Sequence, residues 1–184
     1  FAKFFALVCA AVPVAYLFMA EYQKERIEAF LHPNNLALQG NYQVWQSKVA
    51  IGSGGFFGKG LFQGTQKELD FIPVQKSDFI FSVIGEELGF IGGLIVIGLL
   101  GFLLIRLTKI AHHALDFYGA LIVVGFIGMF TFQIFENIAM TMGIMPVTGI
   151  TLPFLSYGGS SILSNMIAIA IVLDVGVRSK KLSF

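Results

Sequence analysis

The stretch FIPVQKSDFIFSVIGEELGF, residues 71–90, decides how the chain is read. A polar loop ends in it at Ser77-Asp78, and an apolar run begins that carries two carboxylates, Glu86 and Glu87. Over residues 79–105 every position except Ser82, Glu86 and Glu87 is apolar or glycine, 27 residues against the roughly 20 that cross a bilayer. Acids inside such a run are costly in hydrocarbon, so they should face protein or a water-filled cavity. The pattern predicts a membrane helix with a polar site at its outer mouth, centred on Asp78.

The totals agree with a bilayer setting. Of 184 residues, 56% are hydrophobic and only 12% charged, half the ~25% of soluble domains. Mean hydropathy is +0.80. A net charge of +1 lacks the clustered basic face that nucleic acid requires. The single cysteine, Cys9, has no intrachain partner, so disulfides play no part in the fold.

Working outward, residues 4–20, 79–105, 117–135 and about 160–175 are apolar runs of spanning or nearly spanning length. The last needs part of Tyr157-Gly158-Gly159 to complete it. The first resembles a signal peptide only superficially: it is too long for an h-region, and no small-residue cleavage site follows at Glu21-Tyr22. It reads as a spanning helix with a kink at Pro13. A start at Phe1, so close to that helix, suggests a fragment of a longer protein. Arg106 and Lys109 follow the second span, and Arg178, Lys180 and Lys181 follow the fourth, which assigns those connections, and Lys3, to the cytoplasm. The long loop also holds six basic residues, so the orientation rests on the short connections.

The expected layout is all-α and polytopic. It has membrane helices at 1–20, 79–105, 117–136 and 157–176 and a large extracellular loop with amphipathic helices at 21–78. Cytoplasmic segments fall at 106–116 and 177–184, and an extracellular or re-entrant loop at 137–156. Within the large loop, EYQKERIEAF has the spacing of a helix lying on a membrane surface. Tyr42 and Trp45 suit the interface.

The glycine-rich stretch around Gly52 to Gly60 invites comparison with a phosphate-binding P-loop and fails it. Ser53 stands where the first glycine belongs, and Gly60 where Ser or Thr must follow the lysine. The plainer reading is a turn that lets backbones approach closely. The alternative is a loop whose N–H groups and Lys59 meet an anion. Ser77 or Asp78 is the expected N-cap of the second helix. Capping is compatible with chemistry, because a partly desolvated carboxylate at a cavity mouth can accept a proton. Glu86 and Glu87 should either pair with cations or sit where Gly85 and Gly89 break the helix. His112 and His113 point to different helix faces, which speaks against a shared metal. Glu136-Asn137 reads as the end of the third span. MPVTGITLPFLSYGGSS, residues 145–161, is a structured turn or re-entrant segment that needs protein around it.

At these residues the chain resembles the SEDS family (shape, elongation, division, sporulation), the RodA/FtsW polymerases, and is RodA-like in spacing. The resemblance rests on GNYQVWQSKVAIGSGGFFGKGLFQGTQ, on FIPVQKSDFIFSVIGEELGF, on FENIAMTMGIMPVTGITLPFLSYGGSS, and on their order. It implies the C-terminal four transmembrane helices of a ten-helix fold, with the large loop between helices seven and eight. It also implies peptidoglycan glycosyltransfer from lipid II at the bacterial cytoplasmic membrane, in elongation or shape maintenance, with a class B penicillin-binding protein as partner. The family's essential aspartate falls on Asp78. Val74 stands where the family usually has glutamate, Lys76 where histidine is common, and His32-Pro33-Asn34-Asn35 replaces a more usual Asn-Pro-Asp-Pro-like turn. Asp78 is then the expected general base in an inverting displacement. The leaving diphosphate needs cationic groups or a divalent cation, Mg or Mn. Substrate-binding candidates are Lys48, Lys59, Lys76, Glu86, Glu87, Ser156 and Tyr157; no metal-ligand set is recognisable. The rival classes are a lipid II flippase and a non-catalytic scaffold.

Overall fold

The computed structural model describes residues 18–64 and 77–180, and every regular element among them is a helix. Two precede the apolar part, α1 (Glu21–Leu31) and α2 (Gln39–Gly54). Three follow: α3 (Ile80–His112), α4 (Phe117–Thr141) and α5 (Gly159–Lys180). The expected first span and Lys76 lie outside the described residues.

All three later helices are long and apolar enough to cross a membrane. Large side chains line their outward faces, among them Leu94, Leu99 and Phe102 on α3, Phe132 on α4, and Leu163 and Leu173 on α5. Exposed apolar surface on that scale is stable against lipid, not water. Inward, α3, α4 and α5 close around Leu107, Val123, Phe130, Ala168 and Val172.

The connections follow local chemistry. Asp116 caps α4, its carboxylate accepting from the Gly119 N–H at 2.9 Å. α4 ends at Gly143, which takes φ +71°. Its N–H donates to the Met140 carbonyl and that of Ile144 to the Ala139 carbonyl, the paired bonds of a Schellman end. Both α3 and α4 continue past the expected boundaries at 105 and 136. Residues 142–158 then run back across one end of the bundle, with Leu152 fully buried.

α1 and α2 lie against that same end. Asn41 joins them, its Nδ2 donating to the carbonyls of His32 and Asn35 at 2.8 and 3.0 Å. α2 is held to α4 by the Ser47 hydroxyl, which donates to the Thr141 carbonyl at 2.9 Å. It meets α3 with no room for side chains: a Cβ on Gly54 would come within 2.0 Å of the Gly85 oxygen.

Candidate functional site

α3 is broken. Gly89 has φ 67° and ψ −163°, inside an otherwise helical run. This region of backbone space is essentially reserved for glycine. A break in a membrane helix frees donors and acceptors that lipid cannot satisfy. Here the glycine-rich loop satisfies them. The N–H groups of Lys59 and Gly60 donate to the carbonyls of Glu86 and Glu87, both at 3.0 Å. The N–H groups of Phe90 and Ile91 donate in turn to the carbonyls of Gly55 and Phe56, at 2.8 and 3.2 Å. The glycines are there because the backbones touch: a Cβ on Gly58 would lie 2.1 Å from the Glu87 oxygen. The loop is thus a clasp on α3.

The break also relocates the two acids. Beyond Gly89, α3 still has 23 residues to its end at His112 and rises about 35 Å, more than the ~30 Å of hydrocarbon. Glu86 and Glu87 precede that segment, so they belong to the loop-covered end and need not enter the lipid core. Glu86 is 1% exposed, and its Oε1 accepts from Lys59 Nζ at 2.7 Å. Glu87 is buried beside it. Lys59 therefore neutralises a buried carboxylate. Glu86→Gln should lower stability by about 2–4 kcal/mol, since it removes one charge of a largely buried ion pair. A Lys59→Met/Glu86→Met double variant should recover part of that loss, read as the thermal midpoint in detergent.

Asp78 sits just ahead of α3, but it does not cap it. Phe79 holds the N-cap position with no side-chain cap bond, and Phe79 itself is 1% exposed. The turn at residues 77–79 places Asp78 one residue too early to reach the first free N–H groups, which leaves its carboxylate available. Three contacts fix its position. The Ser77 hydroxyl donates to Asp78 Oδ1 at 2.7 Å. Asn137 Nδ2 donates both to the Asp78 carbonyl and to that of Ile150, each at 2.8 Å. The Ser156 hydroxyl donates to the Ser77 carbonyl and accepts from the Leu152 N–H. The loop after α4 and the loop before α3 are thereby pinned together at the aspartate.

Asp78 Oδ2 lies over Gly149, where the missing side chain leaves room for it. A Cβ built there would lie 3.2 Å from that oxygen and 3.8 Å from Arg26 Nη1, so the two groups are at most about 7 Å apart, the sum of those distances, yet beyond the ~4 Å of an ion pair. Asp78 has no ion pair among the described residues. Arg26 is held by its own bond, Nη1 donating to the Val147 carbonyl at 3.0 Å. The site is thus a half-buried carboxylate with a nearby guanidinium across a gap that a ligand atom can fill.

Of the expected site residues, Asp78 and Ser156 converge, Ser156 as a tether. Glu86, Glu87 and Lys59 gather separately at the clasp. Tyr157 is 77% exposed with no described partner. Lys48 lies over Gly143 on the α1–α2 side. Arg26 and Asn137 join the site unannounced by local pattern. Arg26 reads as one charge on an amphipathic helix. Asn137 reads as the polar end of a span, yet it and Glu136 are 0% and 1% exposed, inside α4. Among the described residues no three His, Cys, Asp or Glu side chains come together.

Comparison with known proteins adds the following. A family profile described as cell cycle protein and covering FtsW, RodA and SpoVE matches residues 1–181. The chain is 41% identical over 178 residues to peptidoglycan glycosyltransferase MrdB of Escherichia coli K12, covering 96% of this chain and 48% of that protein. It is 46% identical over 157 residues to peptidoglycan glycosyltransferase RodA of Treponema pallidum, covering 85% and 36%. Among solved structures, one describing the coordination of polymerization and crosslinking by a peptidoglycan synthase complex superposes with TM-score 0.73 at 32% identity, over 97% of this chain and 48% of that one. An aspartate-to-alanine variant of the Thermus thermophilus rod shape determining protein RodA superposes with TM-score 0.55 at 39% identity, over 71% and 39%. The chain spans about half the length of the curated relatives it matches.

Proposed function

Because the chain belongs to the FtsW/RodA/SpoVE family and is a multi-pass membrane protein, we propose that it acts as a peptidoglycan glycosyltransferase that polymerises lipid II, in cell elongation or shape maintenance. The observation that carries this reading is the Asp78 carboxylate, fixed at its backbone by Asn137 and Ser156 yet free of any described cation partner. A group placed so is ready to take a proton.

In the proposed step, Asp78 accepts the proton of the acceptor sugar's 4-hydroxyl. The acceptor oxygen bonds to the anomeric carbon of the donor while the bond from that carbon to the diphosphate oxygen breaks. The electron pair leaves on the lipid diphosphate. A single displacement inverts the anomeric centre. Ser77 keeps one carboxylate oxygen hydrogen-bonded and leaves the other over Gly149.

The same reading puts α1, α2 and the clasp on the outer face of the bacterial cytoplasmic membrane, where the sugar of lipid II is exposed. Arg106, Lys109 and Arg178 then face the cytoplasm. A class B penicillin-binding protein is the proposed partner; the synthase complex in which a similar chain sits couples polymerization to crosslinking, which supports it.

The test uses the full-length protein, purified and given lipid II. Glycan strands resolved by gel are expected. Translocation of fluorescent lipid II across vesicles with no strands formed would make it a flippase. A protein that does neither, yet still assembles with its penicillin-binding partner, would be a scaffold.

A further inference from the structure

A cleft opens between α1, α2 and residues 143–147. Its charge is one-sided. Arg26 and Lys48 line it, and no carboxylate does. Neither cation has an acidic partner among the described residues. Arg26 uses one donor on the Val147 carbonyl, which leaves most of its five N–H groups unengaged. Gly143, at φ +71°, keeps the floor low enough for Lys48 to lie across it; a Cβ there would fall 2.5 Å from Nζ. Trp45 and Phe30 form an aromatic wall, 47% and 42% exposed.

The size of the space narrows the ligand. At about 80 Å³, it is far below the ~300–1,000 Å³ of pockets that enclose whole ligands. It takes a head group, not a disaccharide. Two unpaired cations with an apolar wall suit a diphosphate ester whose remainder continues elsewhere. Position narrows it further. Arg26 faces both this cleft and the gap over Gly149, where Asp78 Oδ2 lies. In a displacement the base lies about 3 Å from the attacking oxygen, which approaches the reacting carbon at 3–3.5 Å. The leaving phosphate is one bond beyond that carbon. A guanidinium no more than about 7 Å from the base can therefore reach the leaving group of the same event.

We infer that Arg26 and Lys48 form a binding site for the diphosphate of a polyprenyl-diphosphate sugar, with Arg26 meeting the phosphate next to the bond that breaks. The inference rests on the glycosyltransferase reading for the identity of the sugar, but the anion site stands on its own geometry. It assigns the leaving-group role to a residue of the surface helix α1. Lys59, tied to Glu86, plays no part in it.

The experiment measures binding of radiolabelled farnesyl diphosphate to the full-length protein in nanodiscs of neutral lipid. Arg26→Gln and Lys48→Gln should each weaken binding about tenfold, and the pair about a hundredfold, the loss expected for one charge-assisted contact each. Arg26→Lys, which restores the charge, should recover part of the loss. Farnesol binding should be unchanged in every variant. Asp78→Asn should bind the diphosphate at least as well as the wild type, because an anion has been removed nearby. If it does so and still polymerises lipid II, the base assignment fails and the anion site survives. If the double variant binds farnesyl diphosphate within about a factor of two of the wild type, the site is overturned. Equal displacement of the probe by phosphatidylglycerol would also overturn it, making the cleft a general lipid-headgroup contact.

Discussion

Asp78→Asn should slow glycan synthesis by about 10²–10⁴-fold while leaving the protein folded. Asparagine keeps the side chain's size and can still accept from Ser77, whose bond to Oδ1 is one of the contacts that set its position. The two backbone tethers, from Asn137 to Asp78 and from Ser156 to Ser77, do not involve the carboxylate at all. What is lost is the ability to take a proton, and general-base assistance is worth typically ~10²–10⁴-fold. Polymerisation from purified lipid II should fall by that factor, with the thermal midpoint in detergent little changed. Strands formed at near wild-type rate by a well-folded Asp78→Asn protein would remove Asp78 from the chemistry.

The second large effect is structural and lies at the break. Gly89→Ala forces a side chain onto a backbone conformation that costs non-glycine residues about 1–3 kcal/mol. Its Cβ would also sit 2.3 Å from the Gly58 nitrogen and 2.8 Å from the Phe56 carbonyl. The loop has to retreat, and the four bonds between residues 55–60 and residues 86–91 go with it, at about 1 kcal/mol apiece. A total near 5–7 kcal/mol should depress the thermal midpoint by about 10 °C or more. Gly58→Ala should behave alike, for its Cβ meets the Glu87 oxygen at 2.1 Å. Gly98→Ala and Gly101→Ala are the controls, since nothing lies within 4 Å of either added atom. A Gly89→Ala protein as stable as those controls would mean that the clasp contributes nothing.

The division between what sequence reveals and what it hides is clear at these two places. The spans are legible because lipid demands composition, and composition needs no partner. Gly85 and Gly89 flag an interrupted helix by spacing, but not what mends it. The mending groups come from residues some thirty positions earlier, and only the fold brings them near. The glycine loop is a case where the plain reading, close backbone approach, describes what the contacts are. Asp78 stands out as the last polar residue before an apolar run. Its capping role, also inferred from that position, is not found, because a one-residue shift in the turn gives the N-cap to Phe79. Arg26 is silent in sequence: its bond to Val147 spans 121 positions, and on its own helix it is one charge among several. Asn137 misleads because a polar residue near a span's end is ordinary, whereas here it is a buried bracket between two loops.

The splice at Gly89 has a mechanical meaning. With its ladder interrupted there and bridged through residues 55–60, the opening turns of α3 are tied to the surface layer by four backbone hydrogen bonds as well as to their own rod. A push on α2 is thus delivered to the base of the aspartate's turn, while the lower two-thirds of α3 can stay still in the lipid. A protein seated on the exposed face of α1 and α2 would have a lever on the turn that carries Asp78 without having to tilt a single span.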